Sequence, residues 1–177
     1  MDLADEERII ERCRGGDLSA YRELYVRYGQ PLLRTAQRML GHPQEAEDAV
    51  QETFMKLFRG ISGFRRGARF STYLFQILNN TWLDMIRKRK PAVFSGDKTE
   101  SLGASSSSEL GHSLAEAVDS LPAQMKASFV LFAVEQFSQE ETADILGVTV
   151  GTVKANVHRA RKKLRAWLAA GPAGGTA

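Results

Sequence analysis

Apolar side chains return at helical spacing along most of this 177-residue chain, and no stretch alternates convincingly as a strand does. Ile9, Ile10 and Cys13 form a short apolar stripe that Gly15 and Gly16 end. Asp17 is placed to cap a helix over 18–40, whose stripe includes Leu24, Tyr25, Tyr28, Leu32 and Ala36. Gly29 and Pro31 should bend or break that helix. Gly41 ends it, and Pro43 suits the first turn of the next. There, over 43–59, Ala46, Ala49, Val50, Phe54, Leu57 and Phe58 share a face. After a loop at 60–70, Ser71 can cap a helix running to Lys90. Leu74, Phe75, Ile77, Leu78, Trp82 and Ile86 are its apolar members, and Pro91 closes it.

The pattern lapses at 91–113, PAVFSGDKTESLGASSSSELGHS, which opens on Pro91 and contains the run Ser105–Ser108. Such a stretch buries too little apolar surface to offset its ordering entropy. It reads as a flexible linker, extending to residue 119. Beyond it the period predicts three helices. The first covers 122–137. The second starts at Ser138 with the capping-box pattern Ser138-Gln-Glu-Glu141 and stops at Gly147. The third is capped by Thr149 and runs to about Trp167. The expected fold is all-α: a domain over 1–90, the linker at 91–119, a domain over 120–168, and a disordered tail at 169–177.

The last two helices satisfy the steric needs of a helix-turn-helix. Ala143 is small enough for a close helix crossing. Gly147 tolerates the positive φ of a tight turn, and Val153 anchors the following helix to the core. Charge adds to this. Overall the chain carries 24 Lys and Arg against 21 Asp and Glu. Over 151–166, however, Lys154, Arg159, Arg161, Lys162, Lys163 and Arg165 occur with no acid. An exposed helix held by ion pairs would mix signs, so this one is expected against phosphates. Gly151 and Thr152, in its first turn, can bring backbone N–H groups close to one.

The first domain offers two further features. Glu45, Asp48 and Glu52, with Gln51 beside them, form an acidic ridge opposite the apolar face of their helix. It would repel DNA and should face water or a protein. A metal site there is a poorer reading. The segment 64–90 interleaves Phe64, Phe70, Tyr73, Phe75 and Trp82 with Arg65, Arg66, Arg69 and the run Arg87–Lys90. Basic groups track phosphates and rings stack on unpaired bases, although Phe75 and Trp82 also suit a core. Asn79 and Asn80 stand mid-helix, where propensity disfavours them; an amide reading a base edge would account for one.

Composition excludes much else. One cysteine, Cys13, allows no disulfide framework and no cysteine zinc site. No apolar run approaches the roughly 20 residues that span a bilayer. The start, MDLADEERIIER, is no signal peptide, so the expected compartment is the cytoplasm. Phosphate-loop, dinucleotide, zinc-protease and nucleophile-elbow motifs are missing. No cofactor is expected.

Three stretches, AEDAVQETFMKLF (46–58), FSTYLFQILNNTWLDMIRKRK (70–90) and LPAQMKASFVLFAVEQFSQEETADILGVTVGTVKANVHRARKKLR (121–165), resemble bacterial RNA polymerase sigma factors. The two-domain layout, without room for the extra regions of housekeeping sigma factors, resembles the extracytoplasmic-function (ECF) group. The resemblance implies a transcription initiation factor rather than an enzyme. Its partners would be core polymerase (β′ clamp helices and β flap), promoter DNA and, as is common in the group, an anti-sigma factor. Asp48, Gln51 and Glu52 would dock on the β′ clamp helices. Phe64, Arg65, Arg66, Arg69, Asn80, Arg87 and Lys88 would bind the minus-10 element, where a base is flipped into a protein pocket. Thr149, Gly151, Thr152, Lys154, Ala155, His158, Arg159 and Lys162 would bind the minus-35 element. The family commonly has Ser-Arg at Ala155-Asn156, which removes a hydroxyl and a cation from the recognition helix, and often Arg at Asn79. A linker of about 25 coil residues has a root-mean-square span near 28 Å. Promoter elements two turns apart need about 70 Å. Polymerase would therefore have to hold the linker extended, and the free protein would bind promoters poorly. The rival readings are a stand-alone helix-turn-helix regulator using 121–167, and a metal nuclease built on Glu45, Asp48 and Glu52.

Overall fold

Asp17 caps the second helix. In this computed structural model, which describes residues 3–65, 69–89 and 114–170, its carboxylate accepts from the Ser19 N–H at 2.8 Å and the Ala20 N–H at 3.4 Å. Arg12 closes the corner from the helix before, donating to Asp17 at 2.8 Å, Ser19 Oγ at 2.7 Å and Glu23 at 2.8 Å. The Ser19 hydroxyl and then Arg12 hold the Asp17 carboxyl down at about 2.

The described residues contain helices and no strand, in two units divided after Arg89. The first unit contains α1 (Leu3–Arg14), α2 (Leu18–Leu40), α3 (Pro43–Gly60), a 3₁₀ turn (Ile61–Gly63) and α4 (Phe70–Arg89). Gly41 ends α2 at φ 75°, and Pro43 stands at the start of α3. α2 packs on α1, α3 and α4, and α3 on α4. Leu24, Leu32, Leu57, Phe70, Leu74 and Leu78 are fully buried between them. Phe75 and Trp82 are also core rather than stacking platforms.

Four expectations about this unit change. α2 runs unbroken through Pro31, so of the bend or break expected there the break does not occur, although proline forfeits a ladder hydrogen bond. Leu32, Thr35 and Ala36 just beyond it are buried, and that packing carries the helix through. Tyr25 and Phe58 are not core; each is 52% exposed. Thr53 takes the inner place on α3, its hydroxyl satisfied by the Ala49 carbonyl at 2.7 Å. Ser71 is no cap, because α4 already starts at buried Phe70 and the Tyr73 N–H bonds the Arg69 carbonyl.

The second unit contains α5 (Leu114–Asp119), α6 (Ala123–Phe129), a π-helical turn (Val130–Val134), α7 (Gln139–Leu146) and α8 (Val150–Ala170). Residues 114–119 are therefore helix rather than linker. Ala117 and Leu121 are buried against Met125, Ala160 and Leu164, a contact that the polar composition upstream concealed. The segment 91–113 and residues 171–177 lie outside the described residues. The helix expected over 122–137 gives way to the π turn, and Gln136 comes after it at φ 63°. α8 continues past Trp167 to Ala170.

Candidate nucleic-acid interface

The helix-turn-helix forms as its spacing requires. The Ser138 Oγ accepts from the Glu141 N–H at 3.0 Å, and Glu141 accepts from the Ser138 N–H at 2.8 Å. Gly147 closes α7 at φ 65°, its N–H directed at the Ala143 and Asp144 carbonyls. Ala143, Val153 and Val157 form the cluster between α7 and α8. Thr149 caps α8 by accepting from the Thr152 N–H at 3.2 Å.

Beyond that cluster α8 turns its cations outward. Lys154, His158, Arg159 and Lys162 are exposed, as are Thr149 and Gly151, while Ala155 and Thr152 are half-buried. A groove of about 380 Å³ runs along this face, lined by Phe132, Gln139, Val153, Lys154, Val157, His158, Arg161, Lys162 and Arg165. It holds four cations and no acid. Arg161 lies over the Phe132 ring, 5.8 Å from its centroid, which presents the guanidinium along the groove. Arg161 and Arg165 thus line the groove itself, whereas spacing gave them only a share of the helix's charge. A Cβ on Gly151 would meet only the Thr149 hydroxyl, at 3.7 Å, so the fold itself does not demand glycine there. Asn156 does not belong to this surface. It is buried and donates to the Ser128 Oγ at 3.2 Å, so the departure there from the family's arginine concerns the core.

In the first unit the expected DNA-binding residues divide. Asn80, Arg87 and Lys88 are exposed on α4. The Asn80 side chain makes no hydrogen bond among the described residues, whereas its neighbour Asn79 is 3% exposed with a buried, unpartnered Oδ1. Arg87 is 3.6 Å from Asp84, which Lys56 of α3 also meets at 3.2 Å. Arg65 and Arg69 are exposed; Arg66 lies outside the described residues. Phe64 needs correction. It is 8% exposed and packs against Phe70 and Tyr73, with ring centroids 5.4 and 5.1 Å away, so its ring belongs to the buried aromatic cluster rather than to an exposed stacking surface.

On α3, Asp48 and Gln51 are exposed and Glu52 is half-buried. At helical spacing they continue into Met55 and Phe58, exposed by 49% and 52%. Tyr21 pairs with Phe58 and Tyr25 with Phe54, at 4.8 and 4.9 Å between rings. The face is therefore acidic at one end and apolar at the other. Periodicity assigns the rings to the core and misses it. The signal available is the tighter stripe Ala46, Ala49, Val50, Thr53 and Leu57, which already fills the inner face. Among the described residues no three His, Cys, Asp or Glu side chains are grouped to hold a metal ion.

The sigma-70 region 2 family matches residues 24–91, and the sigma-70 region 4 family residues 111–164. ECF RNA polymerase sigma factor SigW of Bacillus subtilis is 31% identical, over 93% of this chain and 97% of its own. The chain belongs to the ECF RNA polymerase sigma factors. SigE of Mycolicibacterium smegmatis is 35% identical over 86% of this chain, which spans 63% of that relative's length. Among solved structures, the sigma factor RpoE of Bartonella quintana, in complex with the anti-sigma factor NepR, aligns with a TM-score of 0.68 and 26% identity. That alignment covers 86% of this chain and 98% of RpoE. CnrH, in complex with the cytosolic domain of CnrY, aligns at 0.70 and 26%, over 92% of this chain and 96% of CnrH. As an ECF sigma factor the protein is a transcription initiation factor. A stand-alone helix-turn-helix regulator is not favoured, since it would leave the region 2 half without a role. No described helix is long and apolar enough to cross a membrane.

Proposed function

We propose that the first unit binds core polymerase and opens the minus-10 element, while the second reads the minus-35 element. The observation that carries this division is the contrast between two surfaces. α8 offers cations with no acid, suited to phosphates, whereas α3 offers an acid-to-apolar face suited to a protein. Asp48, Gln51 and Glu52 form its polar end against the β′ clamp helices, and Met55 and Phe58 its apolar end. The chain supplies no bond-making chemistry of its own; it works in the cytoplasm, positioning polymerase on DNA. The β flap is the second polymerase contact, through the second unit.

Of the structural neighbours, RpoE was solved in complex with an anti-sigma factor and CnrH in complex with the cytosolic domain of CnrY. An anti-sigma factor of this protein would act by covering the same α2–α3 face, where Leu18, Tyr25 and Val26 add exposed apolar area.

The test combines transcription and binding. Run-off transcription with core polymerase on a genomic fragment library should yield promoter-specific products only when the protein is added. Asp48→Lys together with Glu52→Lys should abolish co-purification with core polymerase and leave helicity intact, because neither side chain lies in the buried core. Retained co-purification would remove this face from the docking role.

A further inference from the structure

We infer that Arg14 of α1 is a positioning residue for Arg65, an inference resting on the reading of Arg65 as a minus-10 contact. Arg14 is not in either expected DNA surface. Its guanidinium donates to the backbone carbonyl of Phe64, 50 residues downstream, and to Glu11 at 2.6 Å. Its side chain is only 22% exposed, and its Nε is buried with no partner. Leaving a donor of a charged group unpaired carries a cost that a purely solvated Arg14–Glu11 pair would avoid. The contact with the Phe64 carbonyl is what the side chain gains by turning inward.

That carbonyl sets the orientation of the peptide leading to Arg65. The peptide unit is planar, so fixing the direction of the Phe64 C=O fixes the plane that also carries the Arg65 N–H. The rest of Phe64 is already held. Its N–H bonds the Ile61 carbonyl at 3.1 Å, and its ring meets Phe70 nearly edge-on, at 88°. The Phe64–Phe70 contact thus fixes the residue directly before Arg65. Arg14 sets the remaining freedom, the orientation of that peptide. A planar fork can hold a carbonyl and a carboxylate in one geometry, whereas an ammonium holds only a point.

The test uses the full chain in holoenzyme, with Arg14→Gln, Arg14→Lys and, in parallel, Arg65→Ala. Run-off transcription is measured on single-base minus-10 variants and single-base minus-35 variants, alongside thermal melting. Arg14→Gln should lower discrimination at one or two minus-10 positions by about fivefold, the lower end of a base contact. The ranking of minus-35 variants should stay the same. Arg14→Lys should recover part of the discrimination, and it carries the test by itself if Arg14→Gln does not fold. Unchanged discrimination in the Arg14 variants, with discrimination lost in Arg65→Ala, overturns the positioning role. Equal loss on every promoter together with a lower melting temperature also overturns it, because it assigns Arg14 to stability alone. Unchanged discrimination in Arg65→Ala as well overturns the reading of Arg65 as a minus-10 contact, a result distinct from the other two.

Discussion

If α8 reads the minus-35 element as proposed, single side chains should divide into base contacts and phosphate contacts. Lys154 and Arg159 are both exposed and both charged, so exposure alone does not say which of them meets a base. Replacing either with alanine should cost about 1–3 kcal/mol at one minus-35 position if the residue meets a base. A residue meeting only phosphate should weaken all sequences alike and lower the salt slope by about one. Transcription from minus-35-dependent promoters at several salt concentrations separates the two, and no change in either variant would remove α8 from the interface. On α4, Asn80 has an exposed amide with no intramolecular use among the described residues. Asn80→Ala should therefore leave the melting temperature unaltered. It should reduce discrimination at one minus-10 position by roughly 1–3 kcal/mol. Less of that loss should persist on a template with a pre-melted bubble. An unchanged base preference across single-base minus-10 variants would sink the readout role.

At the scale of elements, the geometry of the recognition helix depends on the turn before it. Gly147 has φ 65°, and a Cβ there would meet nothing within 4 Å. The cost of a side chain is therefore backbone strain alone. Gly147→Ala should destabilise the second unit by about 1 kcal/mol, visible in chemical denaturation, with little change in DNA preference once folded. A neutral or stabilising effect would mean that the turn relaxes. α2 illustrates the opposite balance. Its proline costs a ladder bond, yet the buried residues Leu32, Thr35 and Ala36 hold the helix together across it.

Across the whole molecule, each of the two units has its own buried residues, and a cap of the first is the group to watch in acid. Asp17, at the α1–α2 corner, has a folded pKa of about 2, below its ordinary value. Its contribution to stability is present above about pH 4 and is lost as pH falls towards 2. The first unit should lose stability through that window, and Asp17→Asn should show a smaller loss because its cap no longer titrates. Trp82 lies in the first unit and Trp167 in the second, so single-tryptophan variants report each unit separately. An equal acid loss in Asp17→Asn and the parent, read at Trp82, would exclude the corner as the cause. Cys13, buried beneath that corner, has its thiol pushed up to about 11 by burial and takes no part in the titration at low pH.

Local chemistry was legible in the order of residues. Caps such as Asp17, Ser138 and Thr149, the stop at Gly41, the turn at Gly147 and the basic run on α8 depend on neighbours within a few positions, and each formed where its spacing placed it. The family resemblance likewise lay in contiguous stretches. What spacing could not decide was which of two adjacent positions turned inward. Asn79 went into the core and Asn80 out; Thr53 went in and Phe58 out. Ala117 is buried although composition assigns it to a linker, and Phe64 joins the aromatic cluster although it sits among arginines. For the helical positions the physical reason is the same. A helical stripe is wider than the contact it makes, and which of its edges loses water depends on the neighbouring helix. That neighbour is often distant in sequence, as α1 is from the Phe64 carbonyl that Arg14 holds. The tertiary structure alone chose those edges, and with them the side chains left outside for polymerase and DNA.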